Sequence, residues 1–209
     1  YSDPKLTNII ISENEGSRGG GIFFNNSNAI LTNVTITENI TDSDGGGLQM
    51  NASNPTLVNV SITNNTANMM LAGYGGHGGG ISTFTSSPTL INVNIIGNTA
   101  EVSAGAIYQN SNDHNNNNYP SIINSIIWNN GPASIYVSDA AWEPEYAILD
   151  ISYSNIEGGW EGEGNINIEP LFTNSENGDY ILMEGSPCID TGDPNIWYSD
   201  LDDTRCDMG

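Results

Sequence analysis

The chain has 209 residues and a formal net charge of −22 at pH 7, because 25 acidic residues stand against only three basic ones. A field of that sign repels nucleic acids and anionic membrane surfaces and attracts cations, so no nucleic-acid partner is expected. A membrane-spanning helix needs about 20 consecutive apolar residues. The sequence contains no such stretch and therefore predicts no membrane span.

One pattern recurs between Asn8 and Asn130. Each full copy has a run of small residues, an apolar residue, a spacer and then two asparagines six residues apart. The first asparagines of the pairs are Asn33, Asn59, Asn92 and Asn124, and the second are Asn39, Asn65, Asn98 and Asn130. A half-copy begins at Asn8. The resulting period of roughly 25–33 residues falls within the range that indicates stacked repeats.

Within each copy, apolar and small polar residues alternate, as in residues 34–37 and 60–63. Such alternation predicts short, half-buried strands. The predicted fold is all-β: a right-handed parallel β-helix of about six coils over residues 1–158, followed by an acidic, loop-rich cap over residues 159–209. We expect the two sets of asparagines to form two ladders with inward-pointing amides. The glycine runs are expected at the tight corners opposite.

Two insertions lengthen the later repeats, at residues 68–74 and 112–118. Insertions in such folds emerge on one face, which is often the binding face. Two solvated loops are the alternative. His77, which follows the first insertion within a glycine-rich stretch, is interpreted as a loop residue.

Cys188 and Cys206 both lie in a segment rich in Gly, Asp and Pro. A disulfide between them would stabilise that segment by roughly 3 kcal/mol. It would also imply an oxidising compartment. Two free thiols are the alternative.

The same segment holds six aspartates: Asp190, Asp193, Asp200, Asp202, Asp203 and Asp207. Calcium takes six to eight oxygen ligands, and crowded carboxylates repel one another without a cation. The sequence therefore predicts a structural calcium site, chiefly from Asp190, Asp193 and Asp202, that fastens the cap. The alternative is a solvated acidic region in which Arg205 pairs with one aspartate.

Two features resemble a known group. The Gly-Gly-Gly-apolar runs and the Pro-Thr-Leu-x-Asn-Val motifs at residues 55–60 and 88–93 resemble the parallel β-helix repeats of secreted bacterial surface proteins, which have the pectate-lyase-like superfamily fold. The tail, through residues 168–172, 178–182 and 186–194, is similar to the segment that closes many such proteins before a cell-surface sorting domain. Glu169 and Asp203 depart from the usual pattern. The resemblance implies an extracellular, cell-surface protein.

The function expected is non-enzymatic: display, adhesion or assembly at a surface. The expected partners are a glycan, a surface partner, or a second copy that covers the open N-terminal coil. Aromatic rings on an exposed face stack on sugars. The candidate glycan contacts are Trp128, Tyr136, Trp142, Tyr146 and Trp160. These rings would alternatively cover the end of the coil.

The enzymatic alternative is a polysaccharide lyase or a glycoside hydrolase. A lyase needs a strong base and a cation, but residues 22–204 contain no Lys or Arg, since the three basic residues are Lys5, Arg18 and Arg205. A hydrolase needs two carboxylates roughly 5–10 Å apart. Candidates flank Trp142 at Asp139, Glu143, Glu145 and Asp150.

Overall fold

A computed structural model describes residues 2–70, 73–110, 119–138, 149–202 and 204–209. Nearly all regular structure in these ranges is β. The strands are β1 (Lys5–Ser12), β2 (Glu15–Gly16), β3 (Ile22–Asn25), β4 (Ile30–Thr37), β5 (Ile40–Thr41), β6 (Leu48–Asn51), β7 (Thr56–Thr63), β8 (Thr66–Ala67), β9 (Ile81–Phe84), β10 (Thr89–Ile96), β11 (Thr99–Ala100), β12 (Ile107–Asn110), β13 (Ser121–Ile123), β14 (Ile126–Trp128), β15 (Ile135–Ser138), β16 (Asp150–Ser152), β17 (Asn155–Ile156), β18 (Phe172–Asn174) and β19 (Asp179–Leu182). Two 3-10 turns occupy Ser175–Asn177 and Ile196–Tyr198.

The strands wind into a parallel solenoid of about five turns. The long sheet follows the order β1-β4-β7-β10-β13-β16, with β14 and β17 beside it. The short sheet consists of β2, β5, β8 and β11, and the third sheet of β3, β6, β9, β12 and β15. Successive repeats pair in parallel and in register in all three sheets. The prediction of an all-β parallel β-helix is confirmed.

Each long strand bends at its first asparagine. Asn33 and Asn59 have φ angles of 54° and 53°, in the left-handed region that asparagine tolerates better than most residues. The bend changes the alternation of the strand, so that Leu31 and Val34, three residues apart, are both buried. Apolar residues on both sides of the bend therefore enter the same core.

The second asparagines form a continuous buried column, here called the inner column. Asn39, Asn65 and Asn98 have no exposed surface. The Nδ2 of each donates to the Oδ1 of the next asparagine, at 2.9, 2.9 and 3.0 Å, and the last acceptor is Asn130. The same oxygens accept the backbone N–H groups, and Asn14 extends the column by donating to Asn39. This column satisfies buried polar groups at one corner of every coil.

The first asparagines were expected to point inward, and the structure places them differently. Asn33 and Asn59 are exposed, and each donates to the asparagine of the preceding coil, at 3.1 and 3.2 Å. The left-handed bend directs these side chains to the outside of the coil. Asn92 is half-buried, and Asn124 is buried, where Asp193 N–H donates to its Oδ1 at 2.7 Å.

A serine column lies at the corner that precedes the long strands. Ser27 N–H donates to Ser53 Oγ at 3.1 Å, and Ser53 N–H donates to Ser86 Oγ at 3.0 Å. These serines are buried, and their hydroxyls replace backbone partners at the turn. This column was not predicted from the sequence, although serine recurs at equivalent positions before Asn54-Pro55 and Ser87-Pro88.

The small-residue runs bring neighbouring coils close together. A Cβ atom built on Gly47 would lie 2.7 Å from the carbonyl oxygen of Gly80, and one built on Gly21 would lie equally close to that of Gly47. Atoms cannot approach so closely without moving the backbone. Glycine is required here because no side chain fits between the coils.

The C-terminal segment folds onto the last coils. Its hairpin consists of β18 and β19, which pair antiparallel. Gly209 N–H donates to the carbonyl oxygen of Asn124, and Asn155 Nδ2 donates to that of Ile168. Trp128, Phe172 and Leu182 pack around a small cluster of Ile126, Cys188 and Met208.

The predicted disulfide is not formed in this structure. Cys188 and Cys206 are both free thiols, and both are buried. Each sulfur has its own partner: Asn155 Nδ2 donates to Cys188 Sγ at 3.1 Å, and Cys206 Sγ lies 3.5 Å from the carbonyl oxygen of Asp193. Burial raises the pKa of both thiols. Backbone hydrogen bonds join the two segments instead, from Met208 to Cys188 and from Gly192 to Cys206.

The inner column predicts a specific loss of stability. Asn65→Ala removes the oxygen that accepts from the side chain and the backbone of Asn39, and both donors are buried. We expect the free energy of unfolding in urea to fall by about 1–3 kcal/mol. The matched control is Asn59→Gly, which keeps a left-handed bend and should change it by less than about 0.5 kcal/mol. Equal losses in both variants would contradict the assignment.

Candidate functional site

One recess is lined by charged, polar and aromatic side chains and is here called the aromatic cleft. It lies where the first insertion meets the third sheet. It has a volume of about 510 Å³. The side chains that give it its chemistry are Arg18, Asp44, Tyr74, His77, Tyr108 and Asn110.

Four residues at this face share one position in the repeat, immediately before the small-residue run. Arg18 precedes Gly19, and the equivalent residues of the next three coils are Asp44, His77 and Ser103. His77 N–H donates to Asp44 Oδ1 at 3.0 Å, and His77 Nδ1 shares a hydrogen bond with Ser103 Oγ at 2.8 Å. The coil therefore collects a cation, a carboxylate, an imidazole and a hydroxyl into one column. This shared position is the signal in the sequence that could have found them.

The insertion is tied to the coils on both sides of it. Met69 and Gly75 form an antiparallel bridge within it, and Gly76 N–H donates to the carbonyl oxygen of Ser43 at 3.0 Å. Val102 N–H donates in turn to the carbonyl oxygen of Gly76. These bonds hold Tyr74 at the mouth of the cleft, where its side chain is 73% exposed.

Three rings form the wall of the cleft and its continuation. The His77 and Tyr108 rings stack with centroids 4.5 Å apart, and the Tyr108 and Tyr136 rings stack at 5.8 Å with an interplanar angle of 5°. Tyr108 is buried, whereas Tyr136 is 49% exposed. Burial is the main cause that raises the pKa of Tyr108, so its hydroxyl stays protonated at neutral pH.

The carboxylate of the cleft is unusual in its burial. Asp44 is 9% exposed, and this burial raises its pKa, although the hydrogen bond from His77 N–H acts in the opposite direction. Arg18 stands over the Phe23 ring at 6.0 Å. The cleft thus offers a hydrogen-bond acceptor and a cationic donor beside apolar ring surface.

The three predicted glycan contacts that lie among the described residues, Trp128, Tyr136 and Trp160, are not brought together. Trp128 packs beneath the cap, and Trp160 packs against the end of the core and lines a separate recess of about 430 Å³. For these two rings the structure supports the alternative of covering the coil. Tyr136 belongs to the ring stack of the cleft. Trp142 and Tyr146 lie outside the described residues, as do Asp139, Glu143, Glu145 and the second insertion.

The predicted calcium ligands are brought together in part. The carboxylate oxygens of Asp190, Asp200 and Asp207 lie within 4.8 Å of one another, which fits the oxygen shell of calcium. Asp193 instead accepts from Asn195 N–H at 2.8 Å, and Asp202 accepts from Thr204 Oγ1 at 2.6 Å. Asp203 lies outside the described residues.

The environment of Asp200 disfavours the charged form of its carboxyl group. Burial first, and then the charges of Asp207 and Asp202, raise the pKa of Asp200. Arg205, the expected ion-pair partner, contacts the carbonyl oxygen of Gly192 and stands over the Tyr153 ring at 5.7 Å. A bound cation would relieve the repulsion, so calcium at this cluster stays a prediction.

No protein-family model matches the chain, and no curated protein or solved structure matches it either. Within the described ranges, no helix has the length and apolar character required to cross a membrane.

Asp44 predicts a pH dependence of stability. Its raised pKa means that this residue contributes most to stability below its ordinary value of 3.8, and that the contribution is lost as the pH rises through the folded-state value. Asp44→Asn keeps the acceptor for His77 N–H but removes the charge. We expect the variant to have a larger free energy of unfolding than the parent at pH 7. Near pH 3 we expect this difference to disappear.

Urea denaturation at both pH values measures this difference. Asp42→Asn, which removes an exposed carboxylate from the same turn, is the matched control. If the free energies of unfolding of Asp44→Asn and the parent differed by the same amount at pH 3 and at pH 7, the raised pKa of Asp44 would not be the cause of the difference.

The calcium prediction is tested by thermal melts in calcium and in chelator. A cation that binds only the folded state raises the midpoint with its concentration. We expect the midpoint of the parent to rise with millimolar calcium and that of Asp200→Asn to stay constant. Asp202→Asn, an exposed residue outside the cluster, should respond like the parent. A parent midpoint that is the same in calcium and in chelator would refute the site.

Proposed function

We propose that the protein is an extracellular, non-enzymatic β-helix module that binds glycans through the aromatic cleft and serves display or adhesion at a surface. The observation that carries the proposal is the combination, in one recess, of exposed ring surface with Asp44, Arg18 and Asn110. Sugars require both an apolar face and directional hydrogen bonds, and this cleft offers both.

The ring that meets solvent at the cleft is Tyr74. Its 73% exposure leaves a face for the apolar side of a sugar ring, whereas Tyr108 and His77 cover one another and serve as the wall. Below Tyr74, the Asp44 carboxylate accepts from hydroxyl groups and the Arg18 guanidinium donates to them.

The scaffold supports binding because it is rigid beneath the cleft. Tyr108 belongs to β12, which pairs with β9 on one side and β15 on the other. The inner column fixes the same coils at another corner. A wall that is already in place loses little conformational entropy when a ligand binds.

Cleavage of a polysaccharide is the alternative for the same cleft. Arg18 and His77 both line it, although the sequence position of Arg18 suggested that basic groups lie away from the scaffold. A lyase would need such a cation next to a base. For a hydrolase, Asp44 is the one carboxylate among the described residues that line the cleft, and that chemistry requires two. Unsaturated uronate absorbance from pectin or alginate would favour the lyase.

The extracellular location and the surface role rest on the similarity of the tail to closing segments of secreted β-helix proteins. Assembly is part of the proposal too. Strands β1, β2 and β3 lie at the ends of their sheets, and Leu6, Ile9 and Ile22 are only partly buried there. This edge offers backbone groups and apolar surface to further coils or a second copy.

Tyr74→Ala tests glycan binding at the cleft. We expect a glycan array to identify ligands of the parent, and the variant to bind them at least about tenfold more weakly in calorimetry, because a ring that anchors a ligand contributes about 1.4 kcal/mol or more. Trp197→Ala is the control, since its ring is 87% exposed and lies outside the cleft. Unchanged affinity in Tyr74→Ala, or an array without ligands, would overturn the proposal.

A further inference from the structure

A second recess, here called the hairpin groove, lies on a different face of the molecule. It opens between the outer face of the long sheet and the tip of the hairpin formed by β18 and β19, and its volume is about 690 Å³. Neither the inner column nor the aromatic cleft contributes to it.

The floor of the groove is built from three consecutive coils. Register places Thr35, Ser61 and Asn94 in one row, and Thr37 beside Thr63 in the next. These side chains alternate with core residues and therefore face outward. Strand spacing repeats the polar groups about every 4.8 Å along the axis.

Part of this floor lacks internal partners. Thr63 Oγ1 donates to Thr37 Oγ1 at 3.0 Å, which pairs one row. In the other row, Asn94 Oδ1 is buried and has no hydrogen-bond partner within the described part of the chain. That oxygen lies against Gly209, where a Cβ atom built on the glycine would stand 2.5 Å from it. Thr35 and Ser61 are half-buried, so their hydroxyls are the groups of this row that a ligand can reach.

The wall of the groove is a fixed ring. Tyr180 contacts the Phe172 ring edge-on at 5.4 Å, and Leu182 packs on the cluster beneath the cap. The Asn64 side chain shares a hydrogen bond with the Tyr180 hydroxyl, and burial raises the pKa of that hydroxyl. The ring is therefore held over the sheet, with the groove between them.

The charges that line the groove are all negative. Glu38 comes from the floor, and Glu176 and Asp179 come from the hairpin tip; no Lys or Arg lines it among the residues that the structure describes. Carboxylates accept hydrogen bonds from hydroxyl groups but repel uronates and sulfated sugars. The lining thus selects an uncharged ligand that is rich in hydroxyl groups.

We propose that the hairpin groove is a second binding site, which takes a neutral, extended oligosaccharide laid across β4, β7 and β10 beneath Tyr180. The hydroxyls of Thr35 and Ser61 contact its polar edge, and the acidic rim excludes anionic chains.

The test titrates β-1,4-linked hexamers of glucose and of xylose by calorimetry, with a galacturonate hexamer as the anionic comparison. All titrations use the Tyr74→Ala background, so that the aromatic cleft does not contribute. Ser61→Phe fills the groove from an outward position and should weaken binding of the neutral hexamers at least tenfold. Val58→Phe, at a half-buried position of the same strand but outside the groove, is the matched control and should bind as the background does.

Thr35→Val supplies a milder variant if Ser61→Phe does not fold, because it removes one hydroxyl at nearly constant volume; a several-fold weakening is expected. Circular dichroism and melting curves check the fold of each variant. The proposal is overturned if no neutral hexamer binds, if Ser61→Phe or Thr35→Val binds as the background does, or if the galacturonate hexamer binds equally well. None of these results depends on ligand binding at the aromatic cleft.

Discussion

The constraint on which the molecule depends is the hydrogen bonding of buried polar groups at its corners. A coil must turn sharply between sheets, and each turn leaves backbone groups that neither sheet can pair. The inner column resolves this at one corner, because every asparagine bonds both to the next coil and to nearby backbone oxygens. The serine column does the same at another corner. Consecutive coils are thereby held in register, and the rows and recesses on the outer surface inherit that register.

The two candidate binding sites follow from this alignment in different ways. At the aromatic cleft, residues that are far apart in the chain but equivalent in the repeat become neighbours, as His77 and Asp44 do. At the hairpin groove, the outward residues of β4, β7 and β10 form rows, and the cap supplies the opposing wall. One site is thus built by an insertion within a coil and the other by a segment that folds back onto the coils. Both sites are built on sheets in which neighbouring strands lie about 4.8 Å apart.

The periodic part of the fold was predictable because the spacing of the repeat determines which residues lie above one another. Asn39, Asn65 and Asn98 could be placed in one column from their spacing alone. Whether a column lies inside or outside the coil was harder to predict, since the outward position of Asn33 and Asn59 depends on a positive φ angle.

The non-periodic part resisted prediction for a related reason. Cys188 and Cys206 are close in sequence, but pairing depends on where each sulfur points, and spacing carries no information on that. For Trp128 and Trp160 the sequence left open both a glycan contact and a role in covering the coil, because it does not show which residues cover an end of the coil. The column through Arg18, Asp44, His77 and Ser103 was within reach, because each residue precedes a small-residue run.

The first insertion shows how such a chain accommodates additional residues. Between β8 and β9 the connection is longer than between β5 and β6, yet Ala67 still pairs with Thr41 below and Ala100 above. The extra length is accepted without a shift in the flanking coils, so that loop can differ in length while the pairing beneath it stays the same. A solenoid of this kind uncouples the length of a surface connection from the pairing of its coils, because the chain leaves and re-enters the sheets at unchanged register.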